Sequence, residues 1–98
     1  MSVENFSEME ALAESLAEAE GNKVYLLEYR KSLKAILMTQ AEQDNPGMAL
    51  QKQERYAYSH ADYLELLEGI KQAVIKASKF RHQMKVIDMR FETWRTKQ

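Results

Sequence analysis

The chain has no cysteine, one proline and three glycines in 98 residues. Without thiols, disulfides and cysteine catalysis are excluded, and the simplest compartment is the cytoplasm. Three scattered glycines cannot build a glycine-rich phosphate loop. The single proline, Pro46, leaves long stretches on either side free to be helical. Apolar runs are only a few residues long, so no segment is expected to span a membrane. The start is acidic rather than basic-then-apolar, so no secretory signal is expected. Catalytic patterns are missing too. His60 and His82 are far apart, and neither a His-x-x-x-His nor a Glu-x-x-His unit occurs. The serines lack a visible His/Asp partner. Glu65 and Glu68 stand one helical turn apart, a spacing that usually marks a solvated face. The expectation is a protein that is not an enzyme, with no cofactor, no metal, no small-molecule substrate and no membrane.

What the chain does have is periodicity. Tyr63, Leu66, Ile70, Ala73, Ala77, Phe80, Met84, Ile87, Phe91 and Trp94 follow one another at alternating steps of three and four. That is the a/d stripe of a helix lying along another helix. Ala73 and Ala77 permit close approach, whereas the bulky residues from Phe80 onward require a thick partner face or a multi-helix core. These ten residues are the expected interaction seam. A base-stacking platform is the competing use of its aromatic residues, but stacking needs exposed rings and the seam register buries them.

Two long helices and a punctuated middle are expected. The first begins near Ser7, where Ser7 and Glu10 fit a capping box and Phe6 could act as a staple. Met9, Leu12, Leu16 and Ala19 form its stripe. Leu26, Leu33 and Leu37 return to the same frame after Gly21-Asn22, which favours continuation or a mild kink over a helix end. Lys23 and Arg30 take the in-frame positions between them. The helix is expected over about 7–42, a connector over 43–58 and the second helix over about 59–96. Asp44-Asn45-Pro46-Gly47 is the breaker. Met48 to Tyr58 could hold a short helical turn anchored by Tyr56 and Tyr58. Ser59 with Asp62 reads as a weaker capping box for the second helix. At about 1.5 Å per residue that helix reaches about 55 Å, so it must pair along its length.

Net charge is −1 but strongly polarised. Residues 1–22 carry six glutamates and no cation, while residues 71–98 carry eight cations against two carboxylates. Two readings compete: the ends neutralise each other side by side in a hairpin, or the basic end faces nucleic acid or an acidic partner. The hairpin is favoured on geometric grounds.

Glu54-Arg55-Tyr56-Ala57-Tyr58, Asp62-Tyr63, Glu68-Gly69-Ile70 and the terminal Arg90-Phe91-Glu92, Trp94 and Arg95-Thr96 form a pattern. Over residues 54–96 it resembles small helical proteins of tailed bacteriophages and prophages. Earlier in the chain, only Tyr25 to Arg30 share the likeness. The resemblance implies a phage origin and a gene neighbourhood concerned with DNA recombination or replication. It brings no catalytic residues. The chain departs from the pattern in lacking a proline after His60-Ala61-Asp62.

The combined expectation is an all-α, single helical domain over 1–98: an antiparallel hairpin of two long helices, dimerising through the C-terminal seam into a bundle. Its function would be that of a non-enzymatic phage accessory protein in DNA recombination or replication, in the host cytoplasm. It would bind a protein of that machinery, with nucleic acid as a further candidate partner. Lys79, Arg81, Lys85, Arg90 and Arg95 would make the polar contacts. The alternative is a structural or inhibitory adaptor whose acidic N-terminal helix mimics nucleic acid toward a host protein. A virion component is a third reading.

Overall fold

The computed structural model describes residues 3–97. Among the described residues the protein is all-helical, with no strand. Three helices follow one another: α1, Val3–Asp44, of 42 residues; α2, Leu50–Ser59, of 10; and α3, Ala61–Lys97, of 37.

In α1 the inward line is Met9, Leu12, Leu16, Ala19, Lys23, Leu26, Arg30, Leu33 and Leu37, each buried or half-buried. The three-four frame therefore passes unbroken through Gly21-Asn22, and the helix continues there. Lys23 and Arg30 are half-buried in this line, and the Lys23 ammonium meets Glu20 at 2.9 Å. The expected start at Ser7 is corrected. α1 is already running at Val3, so Ser7 is an interior, exposed residue and not a cap. Inside a helix its backbone donor is served by the ladder, which removes the need for a box. Phe6 is 51 % exposed.

The breaker ends α1 as its chemistry requires. The Asn45 N–H donates to the Ala41 carbonyl at 3.0 Å, and the Met48 N–H to the Asn45 carbonyl at 3.1 Å. Gly47 takes φ of +85°, the left-handed region that glycine enters without steric penalty. The Glu42 carboxylate accepts from the Gly47 N–H at 3.4 Å and from Gln53 Nε2 at 2.8 Å. Gln53 also donates to the Met48 carbonyl at 2.9 Å. This side-chain clamp ties the end of α1 to α2.

The connector is more ordered than a short helical turn. It holds α2, whose Ala57 is fully buried. The expected Ser59–Asp62 box is likewise replaced. Ser59 is the last residue of α2, and its hydroxyl donates back to the Arg55 carbonyl at 2.7 Å. His60 is extended, with φ −67° and ψ 140°. Its carbonyl accepts the first helical bond of α3, from the Leu64 N–H at 3.1 Å, and its Nδ1 accepts from the Asp62 N–H at 3.0 Å. His60 is therefore the N-cap of α3, with an imidazole nitrogen in the role usually given to a hydroxyl or carboxylate.

The chain divides into two compact units: Met1–Lys23 with Ala73–Gln98, and Val24–Gln72. The second contains a closed core of Leu33, Leu37, Ala57 and Tyr63, with Met38, Tyr56 and Leu66 packed against it. There α2 supplies a third helical layer, and Ala57 lets it approach closely. In the first unit, among the described residues, only alanines are buried: Ala19, Ala73 and Ala77. Its larger inward residues, Met9, Leu12, Leu16, Phe80, Met84, Ile87 and Phe91, are half-buried.

Candidate interaction surfaces

The seam of α3 changes along its length. Tyr63, Ile70, Ala73 and Ala77 are buried, and Leu66, Phe80, Met84, Ile87 and Phe91 are half-buried. Trp94 is 45 % exposed, its ring stacked 6.0 Å from that of Phe91. The bulky end of the stripe thus remains partly wet. Two helices with large seam residues expose the flanks of those residues unless another layer covers them.

The five C-terminal cations are all exposed, but they are not equivalent. Arg81 pairs with Glu20, which also meets Lys23 at 2.9 Å. Held foremost by the Lys23 hydrogen bond and then by Arg81, the Glu20 carboxyl has its pKa lowered from the ordinary value of 4.5. Arg95 pairs with Glu92 on its own helix at 2.7 Å. Lys79, Lys85 and Arg90 form no ion pair among the described residues. Lys71 and Lys76, earlier on α3, are likewise exposed and outside these ion pairs.

Opposite them in charge, Glu8, Glu10, Glu14 and Glu18 are exposed on α1 and make no ion pair among the described residues. Among the described residues the Glu20–Arg81 contact is the ion pair joining the acidic and basic segments. A cleft beside it is lined by Ser15, Glu18, Ala19, Asn22, Ala73, Lys76 and Phe80.

Two surfaces escaped the sequence reading. The first lies in the unit Val24–Gln72, where Arg30, Lys31, Lys34, Tyr58 and Tyr63 line a cleft. Lys34 Nζ stands 4.8 Å from the centroid of the Tyr58 ring and 3.9 Å from a Glu54 oxygen. Tyr58 first, and then Glu54, favour the ammonium and raise the Lys34 pKa above its ordinary 10.5, against partial desolvation. Tyr58 also meets Tyr63 edge-on at 5.4 Å. The in-frame Arg30 was the available hint, since a cation on a seam marks a place where the interface is polar. The second is a line of apolar and small residues on the outer side of α3, forming shallow grooves at Val74, Ile75, Ser78 and His82 and at Val86, Met89 and Thr93. Its period was masked by the stronger seam on the opposite side of the same helix.

Among the described residues no three His, Cys, Asp or Glu side chains gather as a metal site would require, and no helix is long and apolar enough to cross a membrane. No protein-family model, no curated protein and no solved structure matches this chain.

Proposed function

We propose that this chain is a non-enzymatic phage accessory protein in DNA recombination or replication, working in the host cytoplasm by binding a protein of that machinery, with DNA as a further candidate partner. The observation that carries the reading is the set of exposed cations Lys79, Lys85 and Arg90, unpaired among the described residues, on a helix whose opposite side is a half-closed apolar seam. The likeness of residues 54–96 to small phage helical proteins supplies the biological setting. Seam residues hold the assembly together, and the cations make salt-sensitive contacts.

In this reading α1 and α3 form an antiparallel hairpin, and two hairpins join through Phe80, Met84, Ile87, Phe91 and Trp94. The partial exposure of that cluster supports the pairing, because a second copy would remove it from water. Light scattering tests this directly. A dimer is expected, and a mass near 11.4 kDa at micromolar concentration would overturn it. The single tryptophan gives an independent readout: Trp94 emission should shift to the blue as concentration rises.

Filter binding with single- and double-stranded DNA at two salt concentrations tests the nucleic-acid part. Binding that weakens with salt is expected, and its absence at micromolar protein would remove DNA from the function. A second reading is favoured by the exposed row Glu8, Glu10, Glu14 and Glu18. Here the acidic helix is a free effector that mimics nucleic acid toward a host protein. Deleting residues 1–22 separates the two. Loss of helix content and stability supports the packed hairpin; a retained fold with lost partner binding supports the effector.

A further inference from the structure

The unit built from Met1–Lys23 and Ala73–Gln98 is charge-segregated. Its α1 portion shows Glu10 and Glu14 to solvent, four residues apart, with Ala11 and Ala17 exposed beside them. Carboxylates at that spacing repel each other, and an alanine surface lets another helix approach closely. The α3 portion is the chemical converse. Ile75, Ser78, His82, Val86, Met89 and Thr93 recur at steps of three and four along its outer side. Met89 is 60 % exposed and Ile75 38 %. Lys79 and Arg90 border this line on one side and Lys85 on the other, and no carboxylate interrupts it between Ile75 and Lys85.

We infer that the outer face of α3 docks the acidic outer face of α1 from a second copy of this chain, giving a salt-sensitive, head-to-tail self-association. Glu10 and Glu14 stand about 6 Å apart along α1 and Lys79 and Lys85 about 9 Å apart along α3, one on each flank of the line, so a carboxylate can meet a cation on either side of it. Ala11 and Ala17, about 9 Å apart along α1, cover part of the Ile75 to Met89 line while the carboxylates meet the flanking cations. Other occupants fit less well. A lipid surface calls for a wide apolar face with aromatic residues, whereas this line is narrow, broken by Ser78 and His82, and has no aromatic residue. A phosphate backbone would satisfy the cations but leave Ile75 and Met89 without an apolar partner. Because the donating and receiving faces differ, the contact is heterologous and need not close at two copies. It goes beyond the seam dimer proposed above, which is apolar and closes at two. It also engages the cations assigned there to DNA, so DNA and self-association compete.

Sedimentation velocity of the full chain in low salt and in about 0.5 M salt separates these contacts, since screening at that strength acts within a few ångströms. The expected result is a concentration-dependent mass at low salt at least twice the high-salt mass, whatever value the seam sets at high salt. Two charge-swapped chains, Glu10→Lys/Glu14→Lys and Lys79→Glu/Lys85→Glu, should each stay at the high-salt mass in both buffers. Mixed one to one, they should regain the large low-salt species. Circular dichroism establishes that both are folded, and the neutral pairs E10Q/E14Q and K79Q/K85Q provide the same readout should a swap fail to fold. Equal masses at both salts, wild-type assembly by either swapped chain alone, or no recovery on mixing would overturn the inference. So would flotation of the wild type with phosphatidylserine vesicles while its mass stays salt-independent. Failure of the filter-binding test leaves these outcomes unaffected, so the two ideas fail separately.

Discussion

The unit Val24–Gln72 buries the large side chains of Leu33, Leu37, Tyr63 and Ile70, whereas among the described residues the unit of Met1–Lys23 with Ala73–Gln98 buries only alanines. Both draw on the same two long helices and the same three-four periodicity. The difference is α2. In the first of these units it lays Ala57 and Tyr56 over Leu33, Leu37 and Tyr63, so large side chains gain a third wall. In the other unit, Phe80, Met84, Ile87 and Phe91 have helix on one side and solvent on the next. Two helices bury the centre of a seam, but closing over its bulky flanks takes three.

The sharpest way to break this comparison is a pair of truncations. Leu37 is 1 % exposed, so Leu37→Ala should cost about 2–5 kcal/mol by urea denaturation. Phe80→Ala, at a half-buried position, should cost less, about 1–2 kcal/mol, although it removes more atoms. Equal losses would show that the two units are equally closed. Hydrogen exchange should rank them alike, with amides around Leu33 and Leu37 slower than those around Phe80 and Met84.

The caps and glycines come next in size. His60→Ala removes the imidazole acceptor of the Asp62 N–H and should lower stability by about 1 kcal/mol, while His60→Asp should restore most of it. Gly47 and Gly21 should respond with opposite signs. Gly47→Ala forces an L-residue into φ of +85° and should destabilise by about 1–2 kcal/mol. Gly21 lies inside α1 with nothing within 4 Å of where a Cβ would sit. Gly21→Ala should therefore stabilise by about 0.5–1 kcal/mol. Thermal melts check both.

The smallest effects are electrostatic, and the two units should differ in sign. The pKa of Glu20 is lowered by Lys23 and Arg81, so its contribution is present above pH 4.5 and disappears as pH falls through the lower folded value. Lys34 is raised by Tyr58 and Glu54, so its contribution is present below pH 10.5 and disappears as pH rises through the higher folded value. Glu20→Gln should flatten the acid side of a stability-pH profile and leave the alkaline side unchanged. Lys34→Gln should do the reverse. Both groups are solvent-accessible, so both effects should shrink in salt.

Much of this was legible beforehand in particular residues. The run from Tyr63 to Ala77 named the buried side of α3, because hydrophobic periodicity is local information. Pro46-Gly47 located the end of α1 because proline and glycine act on their own backbone. The caps were misread at Ser7 and Ser59. Both serines have the composition of a cap, but helix length and the competing imidazole of His60 decided where the free backbone donors lay. The outer line of α3 stayed hidden because its weaker period shares a helix with the seam.

Sequence alone therefore determined helix as the fold class, the seam register and the segregation of charge, all set by residue order along the chain. Only the tertiary structure decided which stretch of seam is closed, that Arg81 rather than Lys79 or Lys85 answers Glu20, and that Lys34 rests on Tyr58. Those outcomes depend on which side chains from distant segments come within a few ångströms, and on the third wall that α2 builds over one part of the seam and not the other.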